Sequence, residues 1–339
     1  MKTTRSFLQG KNVLITGGTG SLGKVLTKRL LQYAVNNIRI FSRDEAKQYF
    51  MSKRFSDSRL KFQIGDIRNL NDVVQALQDI DIVFNTAALK QVPNCEYAPW
   101  QAVQTNVLGA ENVVTAISNF HIPVQVVVGI STDKAAKPVN TMGMSKAIQE
   151  RVFIHANLRC ADTRFVCTRY GNVLASRGSL IPLFHQLISE NKPLGVTSSK
   201  MTRFLMNLEE AADLILYAMT NALPGETVIP KVYSGYIIDI AKLFEERSNS
   251  KVLITGLRPG EKNHEILIGE EEASRTIIEN DKFIIQPMLE ELQKRTGAIL
   301  YTESEFSSAD RLIDINTLRD RLFAEELLPG QCTLEKFNI

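Results

Sequence analysis

Residues 11–23 read KNVLITGGTGSLG. The apolar run predicts a short buried strand over 11–16 that ends in a glycine cluster. Behind it Leu22, Val25, Leu26, Leu30 and Leu31 recur at helical spacing, which predicts a helix over 20–33. Gly17, Gly20 and Gly23 therefore stand between a strand and a helix at GxxGxxG spacing. Gly17 permits the tight turn, Gly20 lets the backbone approach a diphosphate, and Gly23 lets helix and strand pack closely. The free amides of the helix N-terminus then face the phosphates. In this context the stretch reads as a dinucleotide-binding turn, with Thr19, Ser21 and Leu22 completing it.

The same alternation continues outward. NIRIF (37–41), LKFQI (60–64), IDIVF (80–84), VQVVVGI (124–130) and RFVCTR (164–169) read as strands. Helices are expected between them over 45–54, 69–78, 98–118 (Pro99 in its first turn) and 142–160. Continuous apolar strands alternating with helices imply an α/β fold, a doubly wound parallel sheet covered on both faces. Beyond about residue 172, Pro and Gly punctuate short elements, with helices expected at 180–190, 207–220 and 237–247. The expected organisation is a Rossmann domain over 1–172 and a smaller α/β substrate domain over 173–339, within which the chain can return to the sheet. Ligands of such sheets bind beyond the carboxyl ends of the strands. The loops after Ile15, Phe41, Ile64, Phe84, Ile130 and Arg169 should carry the chemistry.

Composition narrows the function. Hydrophobic residues make up 44% of the 339 and charged residues 23%, an ordinary globular balance. Forty Lys and Arg against 37 Asp and Glu leave +3, with no basic run to suggest a nucleic-acid partner. No apolar window is long enough for a membrane span or signal peptide, so a soluble, cytoplasmic protein is expected. Cys95, Cys160, Cys167 and Cys332 form no CxxC, and the four histidines are scattered, which argues against a disulfide framework or a metal site.

The end of the second strand, FSRDEAKQ, discriminates between cofactors. Ser42, Arg43 and Lys47 form a donor set for a 2′-phosphate, with Asp44 as helix cap, which favours NADP over NAD. Asp66 and Ile67, in GDIR after the third strand, are placed to flank the adenine.

STDKAAKPVNTMGMSKAIQER (131–151) narrows the reading further. Together with TGGTGSLG, FSRDE, GDIR and AALKQVPNCEYAP it resembles an extended short-chain dehydrogenase. More narrowly, it resembles the inverting UDP-N-acetylglucosamine 4,6-dehydratases of bacterial surface-polysaccharide synthesis. The resemblance continues through TRYGNVLASRGSLIPLF, MTRF and RPGEKNHE and fades beyond about 295. It implies oxidation at carbon 4 by NADP, loss of the carbon 5 proton, departure of the 6-hydroxyl, return of hydride to carbon 6, and reprotonation of carbon 5 from the opposite face. The resemblance makes Lys134 the base at carbon 5 and Asp133 the acid for the leaving hydroxyl. It places Thr86, Lys90, Ser131 and Lys146 beside the cofactor. Convergence of Lys90 and Lys146 on one pocket, next to a positive nicotinamide, leads us to expect a neutral Lys134.

One position departs from the wider superfamily. Short-chain dehydrogenases place Tyr four residues before the helical Lys, and here Met142 precedes Lys146. A thioether carries no proton. One branch of the resembling family also has Met there, so the 4-hydroxyl proton is expected to leave through Thr132, Lys134 or water. For the sugar nucleotide the matching positions are Lys90, Asn172, Arg177, Ser179, Thr197, Arg203, Arg258 and Glu261; arginine's fork suits phosphate oxygens. The helices at 98–118 and 142–160 are candidates for a dimer contact. The alternatives are another sugar-nucleotide enzyme on this scaffold (a 4-epimerase, a reductase or a 5,6-dehydratase) and a catalytically inactive NADP-binding protein. Asp133-Lys134 argues against the epimerase, since simple 4-epimerisation needs neither group.

Overall fold

The computed structural model describes residues 3–295 and 298–337. Residues 1–2, 296–297 and 338–339, which the expected domain spans include, lie outside the described residues. Strands β1 (Asn12–Thr16), β2 (Asn37–Ser42), β3 (Leu60–Ile64), β4 (Ile82–Asn85), β5 (Val126–Ile130) and β6 (Arg164–Thr168) alternate with helices. The main ones are α1 (Ser21–Leu30), α2 (Glu45–Phe55), α3 (Leu70–Leu77), α4 (Gly109–Asn119) and α5 (Thr141–Arg159). All six strands run parallel in the order β6-β5-β4-β1-β2-β3. Thr227–Pro230 pairs in parallel with β6, and Lys282–Ile285, Thr276–Glu279 and Ile299–Leu300 extend the sheet antiparallel, making ten strands. The chain beyond residue 173 thus supplies the outer four strands of the same sheet.

Alternation along each strand builds two cores. Val13, Ile15, Ile40 and Phe84 face Leu26, Leu30 and the helix Leu208–Asn221. Leu14, Val83, Val127 and Phe165 face the opposite way, onto Val73, Val113 and Phe153 of α3, α4 and α5. Both faces are buried, which is why these strands are apolar at consecutive positions. A third cluster, including Ile181, Phe184, Leu205, Phe244 and Leu318, lies under the remaining segments. Among the described residues no helix is long and apolar enough to cross a membrane.

The helix expected over 98–118 is interrupted. Pro99–Ala102 is α-helical, Val103–Leu108 is a π-helical stretch, and α4 follows. The widened turn carries Asn106, which is fully buried. Its side chain accepts from the Leu89 amide at 2.8 Å and donates to the Leu89 carbonyl at 3.0 Å and to Ser145 Oγ at 2.9 Å. These long-range bonds accompany the departure from i→i−4 spacing.

A second buried polar group ties α5 down. Arg169, at the end of β6, forks onto Glu150 of α5 (3.0 and 2.6 Å) and onto Glu272 (2.6 and 2.9 Å). All three are buried.

Candidate functional site

A cleft of about 1330 Å³ runs along the carboxyl ends of β1 to β6. It exceeds what one small ligand needs and is suited to two, a cofactor and a substrate. At its floor lies the glycine turn. Gly17 has φ +64°, and a Cβ there would stand 2.8 Å from the Ala87 Cα. A Cβ on Gly23 would overlap the Gly18 backbone. Only glycine fits either position. Thr19, Gly20, Ser21 and Leu22 line the cleft where α1 begins, so its unpaired amides face the space.

At one end Ser42, Arg43, Lys47, Asp66 and Ile67 form the wall. Asp44 caps α2, accepting from the Lys47 amide at 2.9 Å, and its side chain also pairs with the Lys47 ammonium. Arg43 is half exposed, 3.8 Å from Asp66. Ser42 Oγ accepts from Gln48 at 3.1 Å. Lys24 lines the same wall and escaped the sequence reading, although a cation directly after Gly23 was visible. Burial first, then the charges of Arg54, Arg177 and Lys47, hold Lys24 below its ordinary value. This concentration of positive charge suits a phosphate.

At the other end, β5 runs into Ser131 and Thr132, and a 3₁₀ turn carries Asp133 and Lys134. Thr132 Oγ1 donates to Asp133 Oδ1 at 2.8 Å. Lys134 Nζ lies 3.0 Å from Asp133 Oδ1 and 3.2 Å from Glu265 Oε1. Burial alone would favour the neutral amine, but Asp133 and then Glu265 outweigh it and hold the ammonium above lysine's ordinary value. The expectation of a neutral Lys134 is thereby corrected: two carboxylates, one invisible to the local motif, dominate its surroundings. Lys146 differs. Its Nζ donates to the Ile130 carbonyl and to Gln149 Oε1 (2.8 Å), and burial pulls it down to about 8. Met142, 4% exposed, lines the cleft and packs with Cys95, Ala102, Leu89 and Val92. Its place on α5 leaves the wall without a phenol there.

Thr86, Lys90, Asn172, Arg177, Ser179, Arg258 and Glu261 also line the cleft. Lys90 Nζ donates to the Arg177 carbonyl at 2.9 Å, and the Arg177 amide donates to Ser21 Oγ at 3.2 Å, so this segment closes over the glycine turn. Two expected substrate contacts stand elsewhere. Arg203 is 8% exposed, donates to the Thr202 and Asn263 carbonyls, and lies 3.8 Å from Glu265. Thr197 Oγ1 turns to Met201 Sδ at 3.4 Å. Neither is on the wall of the cleft. Ser131 Oγ, Asp133 Oδ2 and Ser179 Oγ, all at the cleft, are buried with no hydrogen-bond partner, which points to a polar ligand. Among the described residues, no group of three His, Cys, Asp or Glu is assembled as a metal site.

A glycine turn at the head of a doubly wound sheet, with a Lys on the helix after β5, is the fold of the extended short-chain dehydrogenases. More particularly, the chain belongs to the polysaccharide biosynthesis protein family, whose model matches residues 13–287. A protein of Rickettsia akari (strain Hartford) named UDP-glucose 4-epimerase is 45% identical over 273 residues, 78% of this chain and 80% of that protein. The like-named protein of Rickettsia bellii (strain OSU 85-389) is 46% identical over the same shares. The structure of Pen from Bacillus thuringiensis matches with a TM-score of 0.89 at 37% identity, over 95% of this chain and 100% of that one. DesIV, a dTDP-glucose 4,6-dehydratase from Streptomyces venezuelae with NAD and TYD bound, shares the fold at 20% identity. Its TM-score is 0.66, over 74% of this chain and 86% of that one.

Proposed function

We propose that this chain dehydrates UDP-N-acetylglucosamine to a 6-deoxy-4-keto sugar with inversion at carbon 5, using NADP, in the supply of precursors for surface polysaccharide. The observation that carries the reading is the Asp133-Lys134 pair at the end of β5, set in a cleft beside Lys146 with Met142 at the phenol position. Moving a proton at carbon 5 and expelling a hydroxide from carbon 6 needs a base and an acid, and this pair supplies both. The Gly17–Gly23 turn would hold the cofactor's diphosphate, Ser42, Arg43 and Lys47 the 2′-phosphate, Asp66 and Ile67 the adenine, and Thr86, Ser131 and Lys146 the nicotinamide riboside. When bound, the dinucleotide supplies the acceptance and return of one hydride, so no net redox change results.

Within that frame Thr132 passes the 4-hydroxyl proton to Asp133 Oδ1, to which it is hydrogen-bonded. Lys134, its own proton released to solvent, takes the carbon 5 proton. Asp133 gives the proton received through Thr132 to the 6-hydroxyl, which leaves as water, and a solvent proton enters carbon 5 from the opposite face. Arg177 and Arg258 neutralise the substrate diphosphate, while Asn172, Ser179, Glu261 and Lys90 orient the sugar and nucleotide. Exposed Trp100, Leu108, Met144 and Ile148 give the helices from Pro99 to Asn119 and Thr141 to Arg159 an apolar surface suited to a second copy.

The names of the Rickettsia relatives favour a second reading, 4-epimerisation. That reaction conserves mass, whereas dehydration removes one water. Mass spectrometry of the product from UDP-N-acetylglucosamine separates them: loss of water supports the proposal, and an unchanged mass with a new C4 epimer overturns it.

A further inference from the structure

The segment RPGEKNHE (258–265) does more than bring Arg258 and Glu261 to the cleft. Lys262 Nζ donates to the Ala136 and Lys137 carbonyls, at 3.2 and 2.6 Å, and so clamps the backbone just after the Asp133-Lys134 turn. Asn140 Nδ2, at the cap of α5, donates to the Gly260 carbonyl at 3.0 Å. Three residues beyond Lys262, Glu265 sends its carboxylate to the Lys134 ammonium. Glu265 is itself 3% exposed. Its backbone is pinned on both sides by Ser308, with Glu265 N to Ser308 Oγ at 2.9 Å and Ser308 N to the Glu265 carbonyl at 2.8 Å. Its Oε2 has no hydrogen-bond partner. An ionised carboxylate in so dry a place is costly unless something beside it requires the charge.

The groups facing Lys134 are few. Asp133 and Thr132 come from its own turn, Glu265 and Lys262 from the 258–265 segment, and Arg203 from the strand Thr202–Met206. Lys146, on the neighbouring helix, is committed to Ile130 and Gln149 instead. Arg203 lies 3.8 Å from Glu265 and opposes its effect, since a second cation near the carboxylate weakens its hold on the first. Glu265 is thus shared between Lys134 and Arg203.

We propose that Glu265 is a positioning residue of the reaction: it fixes the Lys134 side chain and sets the pH at which that lysine gives up its proton. In the resting protein Lys134 is an ammonium, and the proton it sheds must leave before it accepts the one from carbon 5. Glu265 therefore trades rate at low pH for a lysine held at one place. This inference rests on the reading of Lys134 as the base at carbon 5.

Two measurements on the full chain test it. The first uses ¹³C-lysine-labelled protein without substrate and follows the Lys134 side-chain resonance, assigned with Lys134→Arg, across pH. Glu265→Gln should lower the titration midpoint by about one to three units, the usual effect of removing an opposite charge at this range. Glu265→Asp should fall between, and Arg203→Met should move the midpoint upward, an opposite sign that stands in if the Gln variant does not fold. The second measurement follows exchange at carbon 5 in deuterated water. In Glu265→Gln its lower pH limb should move down with the midpoint, raising exchange below the wild-type limb roughly tenfold per unit. An unmoved Lys134 resonance overturns the proposal and leaves the proposed reaction intact. A moved resonance with an unmoved exchange limb instead overturns Lys134 as the base.

Discussion

Arg43→Ala probes the cofactor reading with little disturbance to the fold. The Arg43 side chain is 54% exposed, and its ion pair with Asp66 is 3.8 Å long. Pairs of that kind contribute about 0–1 kcal/mol, so folding stability should change little. Asp66 also keeps its bond to Arg68, at 2.6 Å, and stays in place on the wall. A charge-assisted bond to a 2′-phosphate is worth about 1.5–3 kcal/mol, which is roughly a ten- to hundred-fold loss of NADP affinity. NAD has no phosphate there and should lose almost nothing. Titration calorimetry of wild type and variant with each oxidised cofactor gives both constants. Equal losses for NADP and NAD would show that Arg43 serves the fold of the loop and that the 2′-phosphate assignment is wrong.

Other expectations follow from the same geometry. Lys134→Ala should abolish solvent exchange at carbon 5, while Asp133→Asn should slow departure of the 6-hydroxyl more than that exchange, both read by NMR time courses. Met142→Ala should keep most turnover, because a thioether wall carries no proton; a new ionisation in single-turnover NADPH formation by Met142→Tyr would show that the natural protein uses another group. Gly17→Ala should cost about 1–2 kcal/mol at its positive φ and abolish cofactor binding by driving a methyl into Ala87, seen as a lost thermal shift with NADP. Arg169→Met should destabilise by about 3–5 kcal/mol in urea unfolding, since it strands the buried Glu150 and Glu272 carboxylates.

What could be read from the chain was local. The glycine turn, the strand that feeds it and the cap at Asp44 each follow from neighbours within a few residues, and the structure places them at the cleft. The helix break at Val103–Leu108 was not legible, because its polar ties join Asn106 to Leu89 and Ser145, 17 and 39 residues away. The charge state of Lys134 was misjudged for the same reason. Local cations were visible, but Glu265 reaches it from a segment 131 positions along. Arg203 reads as a phosphate contact because it stands in MTRF, a segment that matches the resembling family, yet its strand turns it inward to Glu265 and Asn263. A motif names the residues of a site; which of them face the ligand is decided by contacts that sequence spacing does not encode.

The central claim is that protons move at carbon 5. Incubating the protein with UDP-N-acetylglucosamine and NADP in deuterated water, followed by proton NMR of the sugar, tests it directly. The account predicts a 6-deoxy-4-keto product with deuterium at carbon 5 and inverted configuration there. A product epimerised at carbon 4, with its carbon 5 proton retained, would contradict it.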